Sequence, residues 1–145
     1  MEDLKKTTPD KRFGKSDQRF ESAVKYLEAE AAAEMKYKIF RETRADVGVI
    51  AKNLNIDHQV VKQIKDYVFH CDKHIFRDLT TGKFPASIEM AEAWERLIAG
   101  NFVQSDLILL LHEYSESVLK NTFSNATAAN IHDIVQSRYN WIDSL

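Results

Sequence analysis

Cysteine is almost missing from this 145-residue chain. Cys71 stands alone, so no internal disulfide can form and nothing points to an oxidising compartment. Proline and glycine are scarce, at 2 and 4 residues, which leaves little turn chemistry for a sheet-rich fold. Neither charge sign dominates. A formal net charge of -2 gives no global attraction to nucleic acid and leaves room only for a local basic patch. No apolar run approaches the roughly 18 residues of a membrane span, so a membrane partner is not expected. The opening MEDLKKTTPDKRFGK lacks the apolar core of a secretory signal. These absences predict a cytoplasmic protein, with export by a signal-independent route left open.

What is present is an ordinary globular composition, 44% hydrophobic and 29% charged, in a chain long enough for one domain with a real core. Residues 1–15 have no periodicity and read as a mobile tail, and residues 16–145 read as a single all-α domain of five to six helices. Ser16 or Asp17 caps a long helix over 16–43. Its apolar stripe is Phe20, Val24, Leu27, Ala31, Met35 and Ile39, laid on a core or on a second copy of the chain.

Residues 46–69 read as a helix-turn-helix-like pair. Val47–Leu54 is followed by a turn at Asn55, which tolerates left-handed backbone. Asp57 then caps a helix from His58 to about Phe69. A connector follows, with a short hairpin or turn at Thr80–Lys83. Residues 87–142 hold a C-terminal helical bundle. Ser87 caps a helix stopped by Gly100, Ser105 or Asp106 caps the next, and a last helix runs from about Ala126 to Asn140. In that last helix Ile131, Ile134, Val135 and Tyr139 face inward, and Trp141 and Ile142 close the end.

The stretch Asp106–Lys120, DLILLLHEYSESVLK, sets an aliphatic run from Leu107 to Leu111 against His112, Glu113 and Glu116. Apolar around a turn and a half, it reads as the central buried helix. His112 and Glu116 share a face one turn apart. HEYSE is not the HExxH of metalloproteases, because Glu116 stands where the second histidine would be. His112, Glu116 and His132 could still hold a metal. Alternatively, His112 and His132 are a general base and acid, or His112 and Glu116 merely lock two helices together. His70, Cys71 and His74 carry part of a zinc pattern with no second ligand pair. No cofactor or metal is therefore assigned. For nucleic acid the candidates are His58, Gln59, Lys62 and Lys65 on the second helix of the pair, with Lys73 and Arg96 as phosphate contacts. Asp57 and Asp66 weigh against that face, and Arg96 is also placed to pair with an acid of the central helix.

The ordered strings IKDYVFHCDKHI, FPASIEMAEAWERLIAG, SDLILLLHEYSES and IHDIVQSRYNW together resemble a poorly characterised domain. It occurs at the C-termini of bacterial polymorphic toxins and of some phage head-morphogenesis-like proteins. The resemblance covers Ile64 to Trp141. It singles out Lys73, His74, Trp94, Arg96, Leu97, Gly100, Asp106, His112, Glu113, His132, Tyr139 and Trp141. It implies one polar site built from His74, His112, Glu113 and His132. Tyr67 stands where the family often has His, and Ile131 where it has Ala.

Two readings follow. The first is a toxin- or effector-like domain with nuclease-like chemistry, in which His112, Glu113, Glu116, His132 and His74 form the site. The second is a non-catalytic helix-turn-helix DNA-binding or protein-interaction module, a dimeric regulator joined through the long helix.

Overall fold

The computed structural model describes residues 11–138, and the expectations for Tyr139, Asn140, Trp141 and Ile142 lie outside them. The fold is all-α, with six helices in that span and one two-stranded hairpin. The helices are α1 (Lys11–Glu42), α2 (Asp46–Leu54), α3 (His58–Lys65), α4 (Ile88–Ala99), α5 (Gln104–Thr122) and α6 (Ala128–Arg138). The hairpin joins β1 (His74–Ile75) to β2 (Thr81–Gly82), antiparallel, with His74 opposite Gly82.

Local chemistry sets most boundaries. Asn55 takes the left-handed conformation (φ 56°, ψ 48°) and turns the chain out of α2. The Asp57 carboxylate accepts the Gln59 N–H at 2.7 Å and opens α3. Ser87 Oγ accepts the Met90 N–H at 3.3 Å, and Gly100 ends α4 at φ 83°. Two expected starts were late. α1 reaches back to Lys11, so Ser16 and Asp17 are interior residues. Charged and alanine-rich sequence propagates a helix at little cost, and Gly14 opposes it by only about 1 kcal/mol. α5 begins at Gln104, and Asp106 acts from its first turn, its carboxylate accepting the Val103 N–H at 3.0 Å.

The core is aromatic. Trp94 is fully buried and packs edge-on to Phe69, which in turn meets Tyr37 and Phe40. Ile50, Val61, Ile64, Leu97 and Leu110 complete the same cluster. Two polar ties pass through it. Asp46, 1% exposed, accepts from Lys65 Nζ and the Val47 N–H, both at 2.8 Å, and from Trp94 Nε1 at 3.1 Å. Asn53 Nδ2 donates to the carbonyls of Leu97 and Ile98, closing the end of α4 onto α2.

Three burial expectations are corrected. The α1 stripe faces solvent: Phe20, Leu27, Met35 and Ile39 are each more than half exposed. The helix buries Ala33, Tyr37 and Phe40 instead. Those residues carry the same three/four spacing on another face, and the two aromatic rings bury more area against Phe69 and Trp94. The run Leu107–Leu111 is not buried all round: Leu110 is inside, Leu107, Ile108 and Leu109 are half-buried, and Leu111 is exposed. On α6, Ile131 and Val135 are buried but Ile134 is 44% exposed, because this last helix packs one face only, against α5.

Candidate functional site

The site lies where α5 and α6 meet the end of α3. Past Lys65 the helix widens into a π-helical turn, Asp66–His70, a local irregularity that often accompanies functional positions. The turn buries Tyr67, Val68 and Phe69 together. Tyr67 Oη donates to Glu116 Oε1 at 2.9 Å, and the Tyr67 carbonyl accepts from His74 Nε2 at 2.9 Å. Since a carbonyl only accepts, His74 carries its proton on Nε2. Its ring stacks on Phe84 at 3.5 Å between centroids and meets the Tyr67 ring edge-on.

The i, i+4 spacing on α5 sets His112 Nε2 2.7 Å from Glu116 Oε2. From α6, His132 Nδ1 comes within 3.0 Å of that same oxygen and 3.2 Å of His112 Nε2. Thus three ligand-capable atoms form a triangle, with the other carboxylate oxygen pinned by Tyr67. His112 and Glu116 are buried, at 6% and 5% exposure, while the His132 side chain is 55% exposed.

Both shifts in the buried pair follow from it. The Glu116 hydrogen bond raises the His112 pKa against a smaller opposing effect of burial. Burial resists ionisation of Glu116, but hydrogen bonds from His112, His132 and Tyr67 together hold its carboxyl below the ordinary value. Tyr67 is driven well above the usual tyrosine range, first by burial and then by the Glu116 charge. Glu113 is the opposite case: burial, reinforced by Glu116, pushes its carboxyl up to about 8, so it is largely protonated at neutral pH.

The triad opens on a cleft of about 1010 Å³ between α5, α6 and the segment around Phe84. Its walls are mainly apolar, from Tyr37, Val68, Phe84, Met90, Ile108 and Leu109. Glu113, Glu89 and Asp133 also line it, with Arg77 as a cation and Gln104 and Gln136 as amides. A mainly apolar cleft with a few convergent polar groups has the character of a small-molecule or peptide site.

Of the expected site residues, His112, Glu116 and His132 meet directly, and Glu113 lines the same cleft. His74 does not reach them. It is 1% exposed, its pKa is lowered by burial, and it supports Tyr67 from behind. Tyr67, named in the sequence only as a departure from a pattern, is the residue that joins the π-turn to the triad. Its signal was lost because no periodicity anticipates a π-turn.

The expected nucleic-acid residues do not gather. His58, Gln59 and Lys62 are exposed on α3, with Lys62 paired to Asp66 at 2.8 Å. Lys65 is corrected: it is 5% exposed, and its ammonium is spent on Asp46 and the Thr43 carbonyl. Its register on α3 turns it toward α2, where the buried carboxylate holds it. Lys73 is exposed in the connector. Arg96 forms the expected pair, a two-pronged contact with Asp106 at 2.8 and 2.9 Å that ties α4 to the start of α5.

No protein-family model, no curated protein and no solved structure matches this chain. No helix of the described residues is long and apolar enough to cross a membrane.

Proposed function

We propose that the protein is a hydrolytic domain of the toxin or effector type, with its reaction centre at His112, Glu116 and His132. One observation carries this reading. His112 and His132, 4 and 16 residues from Glu116 in sequence, converge on one of its carboxylate oxygens, in the wall of a cleft large enough for a substrate. A half-exposed imidazole held by a buried carboxylate is suited to take the proton of an attacking water as its oxygen adds to an ester, amide or phosphoryl centre. Glu116 orients His132, and Tyr67 orients Glu116. Glu113, in the same cleft, is a proton donor for the leaving group.

The cleft lining favours an apolar or neutral substrate, such as a peptide, over a polyanion. Acids outnumber the one lining cation, Arg77, and phosphate neutralisation dominates nucleic-acid affinity. The nuclease form of the reading therefore has less support than the hydrolytic form. The helix-turn-helix alternative keeps only His58, Gln59 and Lys62 as an exposed reading face. The toxin character rests on the ordered sequence strings.

The test is expression of the chain in bacterial cells. Growth arrest by the wild type, relieved by His132→Ala at an unchanged protein level, is the expected result. Equal growth of the two strains, arrested or not, would overturn the reading. Intact peptide, RNA and DNA pools in arrested cells then identify the substrate class by exclusion.

A further inference from the structure

We infer that His112 Nε2, Glu116 Oε2 and His132 Nδ1 form a binding site for one divalent transition-metal ion, of the zinc or ferrous class. The metal site stands on the geometry of these side chains alone. A His132 that ligates through Nδ1 carries its proton on Nε2, so its base role in the hydrolytic reading above belongs to the metal-free chain. Any use of the ion in catalysis rests on that reading's substrate cleft only.

The first argument is size. The three atoms lie within 4.8 Å of one another, and the edges of their triangle are 2.7, 3.0 and 3.2 Å. An ion bound at about 2.0–2.1 Å in a tetrahedral arrangement separates adjacent ligand atoms by about 3.3–3.4 Å. Each edge therefore opens by less than about 1 Å to admit the ion. His132, on a different helix from the other two ligands and with its side chain 55% exposed, supplies that adjustment on its own two edges. The 2.7 Å edge between His112 and Glu116 opens through their side-chain torsions.

The second argument is the bonding of the triangle. One proton shared along an edge satisfies two of the three atoms and leaves the third facing a lone pair. Two protons, one on each imidazole, set two N–H donors side by side against a single oxygen. One cation at the centre satisfies all three atoms at once.

The third argument is the surroundings. Glu116 spends its other oxygen on Tyr67 Oη, a fixed outer contact of the kind that orients metal ligands. Tyr67 is in turn braced by His74 and Phe84. Three protein ligands, one of them half-exposed beside a cleft, leave a coordination position for water or substrate, as catalytic metal sites do and closed structural sites do not. Two imidazoles and a carboxylate suit zinc or ferrous iron, whereas magnesium and calcium prefer all-oxygen shells.

The experiment is calorimetric titration of the metal-stripped full chain with Zn(II), Co(II) and Mg(II), together with the visible absorption of the Co(II) form. One Zn(II) per chain, a d–d spectrum of low-symmetry Co(II) and no comparable Mg(II) binding are expected. His132→Ala, a change at an exposed side chain, is expected to abolish Zn(II) binding while the circular dichroism stays unchanged. Tyr67→Phe, which keeps all three ligands, is expected to weaken it about 10–100-fold. Absence of Zn(II) binding, binding unaffected by His132→Ala, or equal affinity for Mg(II) would overturn the inference. A chain that binds Zn(II) but does not arrest growth or hydrolyse substrate would keep the site and remove the hydrolytic reading. Growth arrest relieved by His132→Ala in a chain that binds no Zn(II) would do the reverse.

Discussion

Tyr67 Oη donates to Glu116 Oε1 at 2.9 Å, across 49 residues of sequence. This bond joins the π-turn after α3 to the middle of α5, and it decides which Glu116 oxygen is left for the two imidazoles. Removing the hydroxyl while keeping the ring isolates it. Tyr67→Phe leaves a buried, charged carboxylate one partner short, which costs about 1.5–3 kcal/mol. Urea denaturation of the metal-free protein is expected to show a lower midpoint with an unchanged slope. No change in midpoint would mean that water replaces the hydroxyl.

A second prediction concerns Asp46 and Lys65, which are 1% and 5% exposed and lie 2.8 Å apart. Removing one member of a buried ion pair leaves an uncompensated charge, so Lys65→Ala is expected to cost about 3–5 kcal/mol. Lys65→Met combined with Asp46→Leu is expected to recover part of that loss, less the bond from Trp94 Nε1. A double-mutant cycle by chemical denaturation measures the coupling.

Stability of the metal-free protein is expected to fall as pH rises from about 6.5 to about 8, where Glu113 and His112 act with the same sign. Below 6.5, His74 and His70, whose pKa values burial lowers, act oppositely. The folded Glu113 binds its proton up to about 8, against an ordinary value of 4.5. Between those values the folded state holds more protons than the unfolded state, and stability is lost with rising pH. His112 is also raised above its ordinary 6.5 by Glu116, so its contribution is full below 6.5 and is lost as pH climbs through the folded value. Glu116 acts oppositely. Its depressed pKa contributes stability above about 4.5 that disappears in acid. Glu113→Gln is expected to flatten the neutral-to-alkaline slope, as read by denaturation at several pH values. A wild-type profile that is flat or rises over that range would contradict the assignment.

The exposed stripe of α1 gives a fourth prediction. Leu27→Glu and Met35→Glu change side chains that are 60% and 64% exposed. Each is expected to alter the unfolding free energy by no more than about 0.5 kcal/mol. Sedimentation of the same variants tests the dimer: a wild-type dimer that becomes monomeric in Leu27→Glu assigns this face to a second copy of the chain.

The sequence by itself determined the helices, because their signals are local. Asp57, Ser87, Asn55 and Gly100 act on their own or the next few residues and bound α2, α3 and α4, while the starts of α1 and α5 fell earlier than their cap signals. It also put His112 and Glu116 on one face, since the helical repeat alone places residues four apart together. Tertiary structure decided which faces are buried. Two stripes of equal spacing compete on α1, and only Phe69 and Trp94, both distant in sequence, select Tyr37 and Phe40. Lys65 could not be known as buried until α2 brought Asp46 beside it. The site depended on the same kind of information. His132 reaches Glu116 only through the packing of α6 on α5, and Tyr67 only through a π-turn that no periodic pattern encodes. Its chemistry is therefore a property of three elements packed together, while α5 on its own shows a His–Glu pair on one face and α6 a single histidine.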